Sequence, residues 1–331
     1  MRRSEARAAT RGRPSAIALT ATLLLSSAHA RAEASSLPPE VGYNYGDIET
    51  PRAAAMNGAV RASGAALEAL FFNPAGMPLT RVYHIGAVAQ VWPEASRQSY
   101  GGGATDSIVS SARLAGGFGG TWTLQDPDGL DRRSTDIRFA LAYPFSEHFF
   151  VGAGMRYLWL EQNGQGPLGA SLASGGLDDD NIVRTITFDA GVTVRPADFL
   201  SLALVGTNLS NPGHGFLPTT LGGGVSVGSR VFTLEADLLA DFTTWDRTTA
   251  RAMGGVEVLA SDNFPLRLGY RYDEGAGSHS VSGGLGYVER MFAVELGVRR
   301  VVSGDVATAI VLGFTYHLES TELTPTPTDT F

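Results

Sequence analysis

The chain has no cysteine and no lysine among its 331 residues, and beyond the N-terminus it has no long apolar run. The absence of cysteine excludes disulfides, thiol chemistry and zinc–thiolate sites. The absence of a stretch of roughly 18 apolar residues argues against a transmembrane helix. Only helices and closed barrels satisfy every backbone polar group in lipid, so a membrane form of this chain would have to be a barrel.

The first 32 residues have the pattern of a cleavable signal peptide. A basic stretch with five arginines precedes an apolar core at 17–25, and small-x-small cleavage sites end at Ala30 and Ala32. A cut after Ala30 removes five arginines and one glutamate, which changes the net charge from −8 to −12. The segment indicates export, and the acidic mature chain argues against nucleic-acid binding.

The region 82–318 alternates in the manner of β-strands separated by turn residues. Leu266 and Leu268, for example, fall on one face of a strand, whereas Arg267 and Arg271 fall on the other. Alternation of this kind fits a soluble sandwich as well as a membrane barrel, so other features must decide between them.

Three features favour the membrane barrel. Strands of about 10 to 14 residues match the length that crosses a bilayer, and the inward face mixes small residues with charges of both signs. Short connections such as 145–147 and 196–198 alternate with long ones such as 124–133 and 162–182. We therefore expect an all-β, transmembrane antiparallel barrel. The predicted strands are 82–92, 96–105, 109–123, 134–144, 148–161, 183–195, 199–208, 218–227, 231–242, 249–260, 264–272, 279–288, 291–301 and 307–318.

Residues 33–81 differ from the barrel that follows them. The stretch from Pro51 to Leu70 is rich in alanine and has helix-like spacing, Pro51 suits a first helical turn, and Pro74 stops the run. A segment of this size is too small to fold alone. We expect a short helical hatch, or plug, inside the lumen.

This organisation resembles a known family. A small-residue helix that ends in the sequence FFNPAGM at 71–77, directly before a fourteen-strand barrel, is similar to the long-chain fatty-acid transporter (FadL-type) superfamily. That superfamily includes PorV-like secretion-associated barrels and aromatic-hydrocarbon transporters. The resemblance covers about residues 46–318 and implies passive uptake of hydrophobic small molecules such as fatty acids, without catalysis or cofactor. It also implies the hatch and gate candidates Phe71, Phe72, Asn73, Pro74 and Ala75.

Two questions stay open at this point, the movement of the hatch and the function of the barrel. The hatch either moves to open the pore or is a static stopper that seals it. The extracellular loops and the hatch are shorter than in the fatty-acid transporters, and this compact size fits the PorV-like branch at least as well. The alternative function is therefore a partner in protein secretion or surface attachment, without small-molecule transport. A purely structural surface barrel is the third hypothesis.

Two glycine clusters occur on neighbouring predicted strands. Glycine inside a strand often marks a bulge, a bend or a close backbone approach. A kink there would open a lateral exit beside the hatch, but the favoured interpretation is that the glycines only make room for the plug. The glycines are Gly101, Gly102, Gly103, Gly116, Gly117, Gly119 and Gly120.

Charged residues occupy many inward positions of the predicted strands. Cross-strand pairs of opposite charge are an ordinary way to fill a polar lumen, and this interpretation is favoured over a selectivity filter. The expected lumen charges are Asp136, Arg138, Arg156, Asp189, Glu235, Asp237, Arg251, Glu257, Arg267, Arg271, Glu295 and Arg299.

Signals for metals and enzymes are weak. The run 178–181 is acidic but lacks the alternate spacing of a calcium loop, so a solvated acidic loop is expected. The stretch 224–228 matches a nucleophile elbow, yet no helix follows it, and no histidines have metal-ligand spacing. We expect no metal, no cofactor and no enzymatic activity.

The sequence predicts a location in the outer membrane of a Gram-negative bacterium. Pro325 and Pro327 preclude a strand near the C-terminus, so 319–331 is expected to be a periplasmic tail. The expected partners are outer-membrane lipid, the barrel-assembly machinery during biogenesis, and either a hydrophobic small-molecule substrate or secretion components.

Overall fold

The computed structural model describes residues 49–108, 110, 113–125, 131–163, 180–212 and 216–318. The predicted signal peptide (1–32), the first part of the predicted hatch (33–48) and the predicted tail (319–331) lie outside the described residues. The barrel and the rest of the N-terminal segment are described below.

Fourteen antiparallel strands form a closed barrel, in which each strand pairs with its sequence neighbours and the first pairs with the last. At this seam Tyr83 lies opposite Leu318, and Val91 lies opposite Ile310. Closure gives every strand a partner strand on both sides, so the sheet has no edge strand. The predicted all-β barrel and its strand number are confirmed. The strands are β1 Tyr83–Trp92, β2 Arg97–Asp106, β3 Ala115–Gln125, β4 Asp131–Pro144, β5 Phe149–Asn163, β6 Asp180–Ala197, β7 Leu200–Thr207, β8 Thr220–Gly228, β9 Phe232–Asp241, β10 Thr249–Ala260, β11 Phe264–Asp273, β12 Ser278–Val288, β13 Phe292–Ser303 and β14 Thr308–Leu318.

One predicted strand boundary is wrong by more than three residues. β3 begins at Ala115 rather than at 109. Arg113 adopts a left-handed backbone with φ of 62°, and its N–H donates to the carbonyl of Ser110 at 3.0 Å. The chain therefore turns where the apolar pattern predicted a continuing strand.

The outer face of the barrel is apolar. Leu268 is 64% exposed, whereas its neighbour Arg267 on the inner face is 6% exposed. Aromatic side chains concentrate near both ends of the strands, which is the arrangement of barrels that cross a bilayer. One group is Tyr143, Phe145, Phe149, Phe199, Phe232, Phe264, Tyr287 and Phe314, the other is Tyr100, Trp122, Trp159, Phe242, Tyr270 and Tyr272, and only Phe118, Phe139 and Phe188 of the described exposed aromatics lie between them.

Between residue 49 and the barrel, the structure has two short helices, α1 at Pro51–Ala55 and α2 at Ala66–Phe72, followed by a 3-10 turn at Pro74–Leu79. The single helical run expected over 51–70 is wrong. Asn57 and Gly58 have left-handed φ values of 56° and 88°, which end α1 and reverse the chain.

Among the described residues, no helix is long and apolar enough to span a membrane.

Residues 49–80, called the lumen segment here, lie inside the barrel against glycines of its inner face. A Cβ atom at Gly284 would lie 2.5 Å from Cβ of Ala55, and one at Gly255 would lie 2.8 Å from Cβ of Met56. Because these glycines come from strands all around the wall, the segment crosses the lumen. The other glycines that contact it are Gly86, Gly103, Gly117, Gly119, Gly152, Gly191, Gly224, Gly269, Gly297 and Gly313.

Replacing Gly284 with alanine should push α1 away from β12, because overpacking typically costs about 1–3 kcal/mol. The chain has no native cysteine, so the thiol of an Ala54→Cys variant reports this movement cleanly. Ala54 is fully buried. We expect the Gly284→Ala change to accelerate labelling of this cysteine.

The control is Gly283→Ala on the same strand. Its added Cβ would point outward, and its nearest neighbour would be Cδ2 of Leu268 at 3.5 Å, an ordinary contact. Equal labelling rates in the two variants would contradict the packing described here.

Candidate functional site

Asn73 connects three parts of the structure. Its Oδ1 accepts from the N–H of Ala75 at 3.2 Å, and its Nδ2 donates to the carbonyl of Arg61 and to Oγ1 of Thr193, both at 2.9 Å. The side chain lies directly against Gly191, and Asn73 is 1% exposed. A single amide thus caps the 3-10 turn, holds the preceding loop and binds β6.

The gate candidates Phe71 and Phe72 are the last two residues of α2. Phe71 belongs to an apolar cluster with Leu67, Leu70 and Met77 near β3 and β4. Phe72 packs against this cluster and against the buried side chains around α1. The remaining candidates, Pro74 and Ala75, lie against the glycine at position 152 of β5.

Arg138 fixes the C-terminal end of α2. Its Nη1 donates to the carbonyl of Phe71 at 2.7 Å, and its guanidinium lies 5.8 Å from the centre of that ring. Asp136 pairs with Arg138 at 3.1 Å and with Arg156 at 2.8 Å. The buried carboxylate of Asp136 therefore holds both guanidinium groups in place, and Arg138 in turn binds the end of the helix.

Two acidic residues of β9 bind the loop between α1 and α2. Oδ2 of Asp237 accepts from the N–H groups of Val60 and Arg61 at 3.2 and 3.1 Å. Glu235 accepts from the N–H groups of Ala62 at 2.6 Å and Ser63 at 3.2 Å. Four consecutive donors of a non-helical, buried loop are thereby satisfied by carboxylates.

A chain of ion pairs runs from the lumen segment to the wall. Arg52 binds Glu68 at 2.6 Å and Glu257 at 3.2 Å, while Arg267 binds Glu257 and also Glu295 at 2.6 Å. Burial disfavours the charged guanidinium of Arg52, but the carboxylates of Glu68 and Glu257 outweigh it and raise its pKa. Arg52 therefore stays charged and bridges the two helices to β10.

The twelve charged residues predicted for the lumen all lie on the inner face of the strands. Besides the pairs above, Asp189 accepts from the N–H of Asn208 at 2.7 Å, and Arg299 binds Glu49. Arg251 pairs with Asp241 at 3.1 Å. The observed contacts lie within the wall or join the wall to the lumen segment, which favours a packing role for these charges.

The glycine clusters divide between the two faces of the wall. Gly103, Gly117 and Gly119 face inward and contact α2, and Gly102 pairs with Gly120 in the ladder. In the described registers of β1–β2, β2–β3 and β3–β4, no shift interrupts the ladder. The wall is therefore continuous from β1 to β4 beside Phe71, whereas the β6–β7 register shifts between Val194 and Ala197, next to the Thr193 partner of Asn73.

Two cavities adjoin the lumen segment. A cavity of about 680 Å³ reaches the strand ends near Arg195, Asp198 and Arg230. A second, of about 400 Å³, lies between α2 and the inner faces of β1 and β14, and it is called the seam cavity here. Both cavities are lined by Ser63, Ala65 and Thr80 of the lumen segment and by Thr233 of β9.

The weak metal and enzyme signals gain no structural support. Over the described ranges, no three histidine or acidic residues are grouped to hold a metal ion. Asp180 and Asn181 begin β6, and the rest of the acidic run lies outside the described residues. The stretch Gly224–Gly228 is the end of strand β8, so the nucleophile-elbow pattern lacks its helix.

Several residues that join the lumen segment to the barrel wall were not identified from the sequence. Asn57 donates to the carbonyl of Ser280 at 3.0 Å and accepts from its Oγ at 2.8 Å. Ser282 donates to the carbonyl of Ala55 at 2.6 Å, and Ser201 to that of residue 62 at 2.7 Å. Alternation places these serines on the inner face, but it gives no signal for their partners.

Solved structures of other proteins share this architecture. The chain is similar to the CymD monoaromatic hydrocarbon channel, with 15% identity and a TM-score of 0.62 over 81% of this chain and 96% of that one. It is also similar to the Ralstonia pickettii toluene transporter TbuX, with 13% identity and a TM-score of 0.59 over 82% and 99% of the chains. A Pseudomonas aeruginosa FadL homologue matches with 12% identity and a TM-score of 0.56 over 83% and 99%.

These likenesses define the fold. No family model and no curated protein sequence matches the chain. The closed barrel with its apolar outer face has the architecture of an outer-membrane β-barrel. Within that class, the fold is the one found in the FadL-type channels and transporters for hydrophobic compounds, as the resemblance implied.

Replacing Asn73 with alanine should loosen the 3-10 turn, because it removes three hydrogen bonds and leaves Thr193 unpaired. Leaving one buried polar group unsatisfied costs about 1–3 kcal/mol. We expect faster thiol labelling of an Ala75→Cys reporter in the folded protein. Asn263→Ala, which removes a hydrogen bond to Val288 in a turn outside the lumen, should leave that rate unchanged.

Replacing both Glu235 and Asp237 with alanine should release the loop at residues 60–63, because four backbone donors lose their acceptors. An Ala62→Cys thiol, buried in the unaltered protein, should become reactive. Asp241→Ala on the same strand breaks an ion pair with Arg251 that does not involve the loop. A protected thiol in the double variant would show that the carboxylates do not hold the loop.

Proposed function

We propose that the protein is an outer-membrane channel for passive uptake of hydrophobic small molecules, a class that includes fatty acids, and that the lumen segment is its hatch. In this proposal residues 1–32 are a cleaved signal peptide, and the mature barrel lies in the outer membrane of a Gram-negative bacterium. No cofactor and no catalysis take part.

The proposal rests on the kind of contact that binds the hatch to the barrel. The lumen segment fills the barrel at its glycine-lined level, yet it is bound by separate hydrogen bonds and ion pairs rather than by β-pairing. Individual contacts of this kind can be exchanged without opening the barrel. The fold shared with hydrocarbon and toluene transporters supports the same function.

The gate candidates lie beside an apolar surface that a movement of the hatch would uncover. Phe71 and its apolar neighbours Leu67, Leu70 and Met77 cover the inner face of the glycine-rich strands. A shift of the Asn73 turn away from β6 would uncover this apolar surface inside a mostly polar lumen. An apolar solute gains free energy from such a surface, at roughly 25 cal/mol per Å² buried.

A disulfide lock tests whether the hatch moves. A Cβ at Gly224 would lie 3.4 Å from Cβ of Ala62, close to the separation of a natural disulfide, but also 2.0 Å from Oδ1 of Asp237. The lock is therefore built in an Asp237→Ala background, which removes this clash. Oxidation of the Ala62→Cys/Gly224→Cys pair in that background should fix the loop to β8 and stop uptake of an apolar compound, and reduction should restore it. Each single-cysteine variant is the control for oxidation itself.

Uptake that persists in the locked barrel would show that this loop is a static stopper. A barrel that takes up no apolar compound in either redox state contradicts the channel proposal. Co-purification of secretion components without any permeation would instead support the PorV-like alternative, a partner in protein secretion or surface attachment.

A further inference from the structure

We infer that the larger of the two cavities binds an amphiphile with a phosphate group at one end and an apolar body at the other. This cavity of about 680 Å³, called the rim cavity here, is bordered by the lumen segment and by the turns that follow β6 and β8. In the expected orientation of the barrel, this end faces the periplasm. The inference concerns binding from that side and does not depend on the proposed uptake function.

Ser226 of β8 presents a buried hydroxyl group to the rim cavity. In the strand registers it lies between Ser201 and Glu235, and both of these neighbours bind the backbone of the lumen segment. Ser226 is only 5% exposed, yet its Oγ has no hydrogen-bond partner in the described part of the chain. This oxygen is not enclosed by protein, because it borders the cavity. A buried hydroxyl without a partner costs free energy, so a ligand that accepts from it is favoured.

Two arginines give the rim cavity a positive charge. Arg195 lines it at the end of β6, and Arg230 lines it in the turn after β8. Only Nη2 of Arg195 is engaged, with the carbonyl of Asp198 at 3.3 Å, so the rest of this guanidinium is available to a ligand. The carboxylate of Asp198 is the one acidic group among the described lining residues. Two guanidinium groups against one carboxylate leave one positive charge in excess.

The adjoining seam cavity has the opposite charge. Glu68, Glu257 and Glu295 line it, whereas Arg52 is its one lining arginine among the residues described here. Arg267 pairs with two of these carboxylates from behind. An anion is therefore attracted to the rim cavity and disfavoured in the cavity beside it.

The distribution of the donors favours a phosphate over a carboxylate. Guanidinium and hydroxyl groups border the rim cavity on separate elements: Arg195 at the end of β6, Ser226 on β8 and Arg230 in the following turn. A phosphate ester presents three strong acceptor oxygens, whereas a carboxylate presents two in one plane. Arginine also binds phosphate through paired hydrogen bonds. Donors on three elements can therefore each bind a different phosphate oxygen.

The rest of the rim cavity suits an apolar body. Leu79, Phe199 and Leu200 line it together with two alanines of the lumen segment. Phe199 is 60% exposed, so a ligand that covers its ring removes apolar surface from water. Small-molecule sites typically occupy about 300–1,000 Å³, a range that includes this cavity. An inorganic ion would leave most of this apolar surface uncovered.

The test compares three probes of similar size on the full-length mature protein in dodecyl maltoside, a detergent without phosphate: para-bromophenyl phosphate, para-bromobenzoate and para-bromotoluene. Binding is measured by calorimetry at about pH 8, where the phosphate carries its full charge. The bromine is located by anomalous diffraction from crystals soaked with each probe. We expect the phosphate to bind about tenfold more tightly than either other probe, the scale of one buried hydrogen bond. Its oxygens should lie within hydrogen-bond distance of Ser226 and Arg195.

The Ser226→Ala variant should bind para-bromophenyl phosphate about tenfold more weakly, whereas Ser226→Thr, which keeps the hydroxyl, should retain most of the affinity. Arg195→Gln should weaken binding as well. Ser99→Ala is the matched control, because Oγ of this inner-face serine pairs with Thr123 and borders neither cavity. If Arg195→Gln fails to fold, the Ser226 variants and the bromine position decide.

A bromine outside the rim cavity overturns the inference, and so does an affinity for the phosphate that Ser226→Ala leaves unchanged. Equally tight binding of para-bromobenzoate or para-bromotoluene contradicts the phosphate preference. Inorganic phosphate that binds as tightly as para-bromophenyl phosphate shows that the apolar wall takes no part, and it also overturns the inference. If no probe binds, the inference fails, while cellular uptake of toluene still tests the proposed channel separately.

Two sources of such a ligand are distinguished by a further probe, the single-chain lipid lysophosphatidic acid. Tighter binding of this lipid than of para-bromophenyl phosphate, again dependent on Ser226, assigns the rim cavity to a lipid headgroup. Equal or weaker binding assigns it to a free organic phosphate.

Discussion

The structure depends on one constraint: an irregular peptide segment is buried inside a closed barrel, and its backbone polar groups must find partners there. The lumen segment has little helix to satisfy them internally. The wall supplies the acceptors and donors instead, through carboxylates at Glu235 and Asp237, the hydroxyl of Ser282 and the guanidinium of Arg138. The identity of the inward-facing residues follows largely from this need.

The same constraint explains the composition of the inner face. Close approach of the segment requires glycine where backbone meets wall, as at Gly284 and Gly297, and charged or hydroxyl side chains where backbone groups need partners. The charged pairs around Arg52 and Asp136 then neutralise what would otherwise be isolated charges in a confined space. The inward glycines and the inward charged residues therefore have the same cause, because both accommodate the lumen segment.

A barrel filled in this way differs from an open pore. Water-filled channels need a continuous lumen, whereas here the segment crosses it and leaves cavities to one side. The unbroken ladders around Gly102 and Gly119 keep the wall closed beside α2. Passage of a solute through this architecture thus requires the segment, the wall or both to rearrange. The single amide of Asn73 is the point at which turn, loop and wall are joined.

The sequence by itself determined the strands and their two faces, because alternation of period two is a local property that needs no partner. It placed the charged residues on the inner face for the same reason, whereas Asn73 was indicated only by the family resemblance, and β2 formed despite its run of glycines. It misjudged the start of β3 and the length of α1, where left-handed residues such as Arg113 and Gly58 reverse the chain. Only the tertiary structure decided which residues meet across the lumen, because pairs such as Asn57 and Ser280 are far apart in the chain and a face does not specify a partner.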